Sequence, residues 1–315
     1  PNRLFKVSLL LVVAGGAIPL VPGDNSNYVE GESRYAWVAD GDSNPVLVDL
    51  HEPAEEELGS RIFDTAEYWL YTRSNPTTPQ ILKFGDPNSV SGSNYLASRP
   101  LNVIVHGYAG NGNSQINTLL TSAWLAEMDA NVIVVDWSAI ASGSYVSAVA
   151  QAPSLGRVIG TFITWLINTT GSNWNNVHIA GFSLGGQIAG IAGRVTNGRP
   201  RRITGLDPES PLWYLNPNAI REDVAQYVEI IHTHFTRTDA PRVGHVDFYP
   251  NGGTNQPGCL TSICSHSRSY HLFASSILTN HFIGRQCASV EEARNQTCSG
   301  ALTLRMGNAI LTKNA

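Results

Sequence analysis

Charge is scarce in this chain: Asp, Glu, Lys and Arg make up 14% of 315 residues, against 42% hydrophobic. So little charge on so apolar a chain excludes a disordered segment and a coiled coil. No long basic run occurs and the net charge is −5. No nucleic-acid partner is therefore expected, because phosphate binding needs clustered Lys and Arg. Repeats and low-complexity blocks are absent, and beyond the first residues no stretch is long and apolar enough to span a bilayer. The acidic cluster Glu55-Glu56-Glu57 reads as a solvated face. Cysteine is sparse too: four residues in two close pairs, Cys259 with Cys264 and Cys287 with Cys298. Neither pair has the CxxC spacing of a zinc or redox site. Disulfides are expected in an oxidising compartment, and neighbour pairing is the simplest of three connectivities.

What is present begins at the N-terminus. Arg3 and Lys6 precede the apolar run Val7–Val13 and the small residues Ala14-Gly15-Gly16-Ala17. That order is the signature of a secretory signal peptide, so residues 1–17 are expected to be a leader and the protein extracellular. A membrane anchor is the weaker alternative. Two sequons, Asn168-Thr169-Thr170 and Asn295-Gln296-Thr297, fit secretion and mark Asn168 and Asn295 as candidate glycosylation sites. Residues 18–60, rich in Gly, Pro, Asp and Glu, read as a loosely packed extension or propeptide. A domain over 61–315 is ample for a large core.

Within that domain, short β-branched runs recur at Leu101–Val105, Asn131–Val135, Asn176–Ala180, Arg202–Leu206 and Tyr227–His232. Their length and composition predict buried strands of a mostly parallel sheet. Between them, Ser154–Ile167 carries apolar residues at helical spacing and supplies a crossover. The fold class expected is α/β, a central sheet flanked by helices. The chain stops about 50 residues after His266, which leaves no room for a separate C-terminal domain.

Gly181-Phe182-Ser183-Leu184-Gly185 is the one GxSxG in the chain. Chance supplies roughly 0.1 such matches in this length, so context decides. The motif follows a predicted strand and opens a helix of small residues, Gly185 to Gly193. A serine on so tight a strand-to-helix turn is forced into a strained backbone, which lifts its oxygen clear of the sheet. The helix N-terminus then favours negative charge nearby.

A nucleophilic serine needs a base, and donors for the oxyanion. One donor is the N–H of Leu184. The other is that of Tyr108, in the His106-Gly107-Tyr108 turn after Leu101–Val105. His106 itself reads as a loop-shaping hydrogen-bonder. Chain order places the acid after the serine, and Asp207-Pro208 ends the run Arg202–Leu206; Asp223, Asp239 and Asp247 lack that setting. Of the later histidines, His232 and His234 read as structural and His245 precedes a strand-like run. His266, on a Cys-bounded loop ahead of a helix-like stretch Ser269–Leu278, is favoured as base over these rivals.

These motifs resemble the pancreatic-lipase-like family, particularly its secreted arthropod members. The matching stretches are Asn102–Tyr108, Asn131–Trp137, Asn176–Gly193, Gly205–Pro208, Tyr227–Thr233, Gly244–Cys259 and Cys264–Tyr270, in the family's order over roughly Arg61 to Cys298. The resemblance implies an α/β-hydrolase fold with Ser183, Asp207 and His266 as triad. It implies Tyr108 and Leu184 as oxyanion donors, and disulfides Cys259–Cys264 and Cys287–Cys298. Departures from the family pattern shape the rest. The Cys259–Cys264 loop encloses four residues, the Thr233–Gly244 stretch is short, and the family's C-terminal β-sandwich domain is missing. The calcium-loop acids are poorly matched around Arg221-Glu222-Asp223-Val224, and Phe182 replaces the usual His. No metal, no cofactor and no colipase-type partner are expected, and the chain is expected to be a monomer. Short loops favour phospholipid sn-1 esters, or another polar glycerolipid, over triacylglycerol as substrate. The resemblance also takes in insect yolk proteins that keep the fold and bind lipid without catalysis, having lost the triad, so a non-catalytic lipid-binding protein is the alternative reading; a serine peptidase is the remoter one.

Overall fold

A computed structural model describes residues 21–56, 59–208, 211–213, 216–234 and 242–313. The expected leader, residues 1–17, lies outside the described residues. The chain begins with an antiparallel hairpin of β1 (Tyr35–Ala39) and β2 (Pro45–Asp49). Next come β3 (Glu67–Tyr71), β4 (Gln80–Leu82), the short helix α1 (Pro87–Ser91) and β5 (Leu101–Val105). Helix α2 (Gln115–Glu127), β6 (Asn131–Asp136), α3 (Ser138–Ala141) and the long α4 (Tyr145–Thr170) follow. Then β7 (Val177–Phe182) leads into α5 (Leu184–Val195), β8 (Arg202–Leu206), β9 (Val228–Ile231) and β10 (Val246–Phe248). The last elements are α6 (Ser262–Thr279), β11 (Ile283–Arg285), α7 (Val290–Arg294) and β12 (Thr303–Arg305).

Eight strands form one sheet in the order β10-β9-β8-β7-β5-β6-β3-β4. From β10 to β6 every pairing is parallel, and β3 and β4 add an antiparallel edge. Strands β5, β7, β8 and β9 are buried throughout, as expected when helices cover both faces of a parallel sheet. On one face α4 and α5 bury Leu155, Ile159, Phe162, Ile188 and Ile191. On the other, α2 and α6 bury Leu120, Trp124, Phe273 and Ile277. This is the expected α/β-hydrolase architecture. Among the described residues no helix is long and apolar enough to cross a membrane.

The differences from the sequence reading have local causes. Helix α4 starts at Tyr145 rather than Ser154, capped by Ser144 and stopped by the left-handed Gly171. Pro153 interrupts the pattern within the helix and hides its first turns. The segment expected to be loosely packed carries the β1–β2 hairpin, where Ala36, Val38, Val48 and Leu50 are buried. Its apolar residues alternate around a polar turn, so one face can pack while composition stays hydrophilic.

At the start of β8 and in β9, Arg202 and Glu229 form a fully buried ion pair. Glu229 also accepts from Gly307 N (2.7 Å) and Lys313 Nζ (3.0 Å). Arg202 Nη1 donates to the carbonyls of Asn308 (3.0 Å) and Ile310 (2.9 Å). The stretch 307–313 is thereby pinned to the sheet. Burial alone would raise the Glu229 carboxyl, but the charges of Arg202 and Lys313 hold it below its ordinary 4.5. The pair's stabilisation is therefore complete above that value and lost as pH falls through the lower folded-state pKa. Glu229→Gln leaves Arg202 buried without its counter-charge, so a loss of about 3–5 kcal/mol is expected. Urea unfolding at neutral pH checks it, and the variant should lose less stability than wild type on acidification below pH 4.5.

Candidate active site

Ser183 stands between β7 and α5 with φ 54° and ψ −128°, a backbone conformation that costs a side-chain-bearing residue about 1–3 kcal/mol. The glycines around it make that bend possible by close approach. A Cβ on Gly181 would lie 2.2 Å from the Gly185 carbonyl oxygen, and one on Gly185 would lie 2.2 Å from the His106 carbonyl oxygen. No side chain fits there. The bend is tied to the next strand by Ser183 N donating to Leu206 O at 3.0 Å.

Leu206 hands on to Asp207, which is fully buried and also has a positive φ of 45°. Its Oδ2 lies 2.6 Å from His266 Nδ1. Its Oδ1 accepts the backbone N–H groups of Thr233 (2.8 Å) and His234 (3.2 Å). Burial pushes this carboxyl up, but the hydrogen bond from His266 and the nearby imidazoles outweigh it and bring it below its ordinary 3.8. An ionised Asp207 requires Nδ1 of His266 to carry a proton, which leaves Nε2 as the ring's basic nitrogen. The His266 ring packs on Phe182, centroids 4.6 Å apart. Ser183 and His266 make no hydrogen bond in this structure. Phe182 and Leu206–Asp207 hold them as neighbours.

His266 is not on a loop, as its cysteine-rich surroundings suggested. It lies in the second turn of α6, which begins at Ser262 with Thr261 as its cap. The cap hydroxyl accepts the N–H of Cys264, so helix starts inside the disulfide loop and not after it. The pairs Cys259–Cys264 and Cys287–Cys298 are both bonded. Leu260, at the tip of the first, is fully exposed. Asn168 and Asn295 are also exposed.

The turn after β5 packs on the other side of the serine. A Cβ on Gly107 would stand 3.4 Å from Ser183 Cβ, so this turn lies directly against the serine. The N–H groups of Tyr108 and Leu184 have no protein acceptor among the described residues. Tyr108 is held by its hydroxyl, which donates to Gly143 O at 2.8 Å. His106 is buried, with Nδ1 2.8 Å from Gly107 O and Nε2 accepting Trp137 N at 3.2 Å. Those contacts make it a loop-shaping residue.

The side chains of His232 and His245 have partners of their own. His232 Nε2 lies 3.2 Å from Asp247 Oδ2, a second buried Asp–His contact. His245 Nδ1 accepts Val228 N. Thr233 was invisible as a site residue, yet its N–H supports Asp207 and its hydroxyl donates to the His266 carbonyl. Gln187, in the glycine-rich helix, ties Pro208 O at 2.6 Å. His234 also touches the acid, through its backbone. The Tyr227–Thr233 run, ending where β9 meets the acid's neighbourhood, was the available signal for Thr233. Among the described residues no group of His, Cys, Asp and Glu is arranged to hold a metal ion.

A strained serine at a strand-to-helix bend, a buried Asp–His pair and two N–H groups without a protein acceptor among the described residues lie on a mostly parallel sheet of the α/β-hydrolase fold. The family model described as Lipase matches residues 34–311, and the chain belongs to that family. Pancreatic lipase-related protein 2 of Bos taurus is 36% identical over 262 residues, covering 74% of this chain and 56% of the relative. Pancreatic triacylglycerol lipase of Myocastor coypus is 34% identical, covering 73% and 57%. Lipoprotein lipase of Neovison vison is 36% identical, covering 71% and 54%. The chain thus spans a little over half the length of the curated relatives it matches. Among solved structures, XC6422 from Xanthomonas campestris, titled an a/b serine hydrolase without lid, aligns at 12% identity over 65% of this chain and 73% of that one. Its TM-score is 0.35, too low for any inference.

Asp207→Asn keeps the shape of this site but no longer requires a proton on Nδ1 of His266. Turnover of a chromogenic ester should fall by about 10⁴-fold with the fold intact, read by steady-state kinetics beside circular dichroism.

Proposed function

We propose that this chain hydrolyses carboxylic esters of lipids by acyl transfer through Ser183. His266 takes the proton of the hydroxyl, Ser183 Oγ attacks the ester carbonyl, and the N–H groups of Tyr108 and Leu184 hold the oxyanion. Asp207 steadies the imidazolium that forms. His266 then protonates the departing alcohol, and water, activated the same way, releases the acid. The observation that carries this reading is the buried Asp207 carboxylate 2.6 Å from His266 Nδ1, beside a serine held in a strained bend. Membership of the lipase family supports it.

The finer reading is a preference for phospholipid sn-1 esters, or another polar glycerolipid, over triacylglycerol. A lid that gates an active site must swing, hiding an apolar groove in water and baring it at an oil surface. Here the loop closed by Cys259–Cys264 has two of its four enclosed residues, Ser262 and Ile263, already in α6. Ser262 Oγ and Ile263 N are further bonded to the segment at residues 23–25. So anchored a loop favours a site open without an interface. Exposed sequons and two disulfides support secretion. A lipid-binding protein without catalysis is the alternative, and the intact serine, acid and base weigh against it.

Ser183→Ala should abolish ester turnover and labelling by an organophosphonate while leaving lipid binding intact; residual turnover in that variant rules the assignment out. Hydrolysis of micellar phospholipid should exceed that of emulsified triglyceride. A steep rise in rate as a triglyceride interface forms would reverse the substrate preference.

A further inference from the structure

If Ser183 attacks an ester, the N–H of Tyr108 must aim at one point in space, because a donor misplaced by a fraction of an ångström loses its effect. The residues after Tyr108 are tied within the loop and to the flanking helices: Ala109 N donates to Ala141 O at 3.0 Å, Asn111 N to Ser114 Oγ at 2.8 Å, and Asn117 Nδ2 to Asn111 O at 2.8 Å. Ala109 is left-handed, with φ 52°, and the loop runs through Gly110 and Gly112 to Ser114. Ser114 gives α2 no side-chain cap. A further hold, from outside the loop and its helices, comes from the tip of the β1–β2 hairpin.

Gly41 at that tip accepts the N–H of Gln115, the first residue of α2, at 3.1 Å, and reaches Ala109 O with its own N–H at 3.4 Å. The hairpin thus grips the loop at both ends. The fit leaves no slack: a Cβ on Gly41 would stand 2.2 Å from Ser114 Oγ and 3.0 Å from Gly110 Cα. The tip is itself a tied turn, since Asp40 Oδ1 accepts the N–H groups of Asp42 (2.9 Å) and Asn44 (2.8 Å). A second set of bonds leaves it toward the base. Ser43 Oγ is hydrogen-bonded to the Tyr270 hydroxyl, which donates in turn to Gln115 Oε1 at 2.8 Å. Tyr270 lies one turn beyond His266 in α6, and its ring meets Phe182 edge-on at 5.0 Å.

We propose that the hairpin tip, through Gly41 and Ser43, is a positioning element of the active site. It sets the loop that carries the oxyanion donor Tyr108 and links that loop to the helix that carries His266. This rests on the serine-esterase reading above. It assigns residues 35–49 to the working enzyme and not to a removable extension.

The test uses the full chain with p-nitrophenyl butyrate as substrate and a trifluoromethyl ketone as transition-state analogue. In Gly41→Ala the added methyl forces the loop away, and kcat should fall roughly tenfold or more with KM within about twofold. Affinity for the ketone should fall by the same factor as kcat/KM, while the thermal midpoint stays within a few degrees. Ser43→Ala, which adds no bulk, should show the same pattern more weakly and serves if Gly41→Ala does not fold. A folded variant with wild-type kcat and ketone affinity overturns the proposal. So does a loss confined to KM and thermal midpoint. Ser183→Ala run alongside separates the two levels: turnover surviving in it would sink the esterase reading itself.

Discussion

Backbone-to-backbone contact between α5 and the end of β5 is the constraint on which the rest of the site depends. Gly185 lies so close to the carbonyls of Val105 and His106 that any side chain would overlap them. That approach brings the Tyr108 turn against Ser183 and forces the positive φ at the serine. The N–H of Leu184 is left without a partner among the described residues, because a helix's first amides have none within the helix. The strain at Ser183 persists because glycines on one side and the bond to Leu206 on the other leave the chain no alternative. Chemistry and packing are here one requirement: the tightness that bars side chains also aims the donors.

The parts of this arrangement that follow from local rules were legible in the sequence. Strands β5 and β8 match their apolar runs residue for residue, since strands covered on both faces show no alternation to confuse their limits. The serine bend was legible from its glycines, and Asp207 from its place at a strand end. Less legible was anything set by distant partners. Nothing in the sequence near His266 separates a loop from a helix capped inside a disulfide ring. Thr233 gains its role only because β9 lies beside β8. The β1–β2 hairpin was masked by composition, although Asp40 to Asn44 between two alternating runs is a turn signal. Strands β3 and β4 lie outside the runs that predict the sheet, one being rich in aromatics and the other only three residues long.

Histidine shows how little residue type alone decides. His106, His178 and His232 are as buried as His266, and His232 even has a carboxylate partner. Burial pushes His178 far below its ordinary range, with Arg202 adding to the effect, and its Nε2 is within hydrogen-bonding distance of the Thr204 hydroxyl. Such a ring is an uncharged spacer. What sets His266 apart is a carboxylate on one nitrogen together with the ring of Phe182, the residue before the strained Ser183, packed against it.

The Arg202–Glu229 pair carries a consequence for the opposite end of the same two strands. Strand β8 begins at Arg202 and ends just before Asp207; β9 contains Glu229 and leads into Thr233 and His234. A slip of β9 by two residues along β8 would preserve which side chains face each layer but move the chain by about 6.6 Å. Thr233 and His234 would then leave Asp207 without its backbone donors, and the ion pair would be separated as well. Buried charge at one end therefore acts as an indexing pin for alignment at the other.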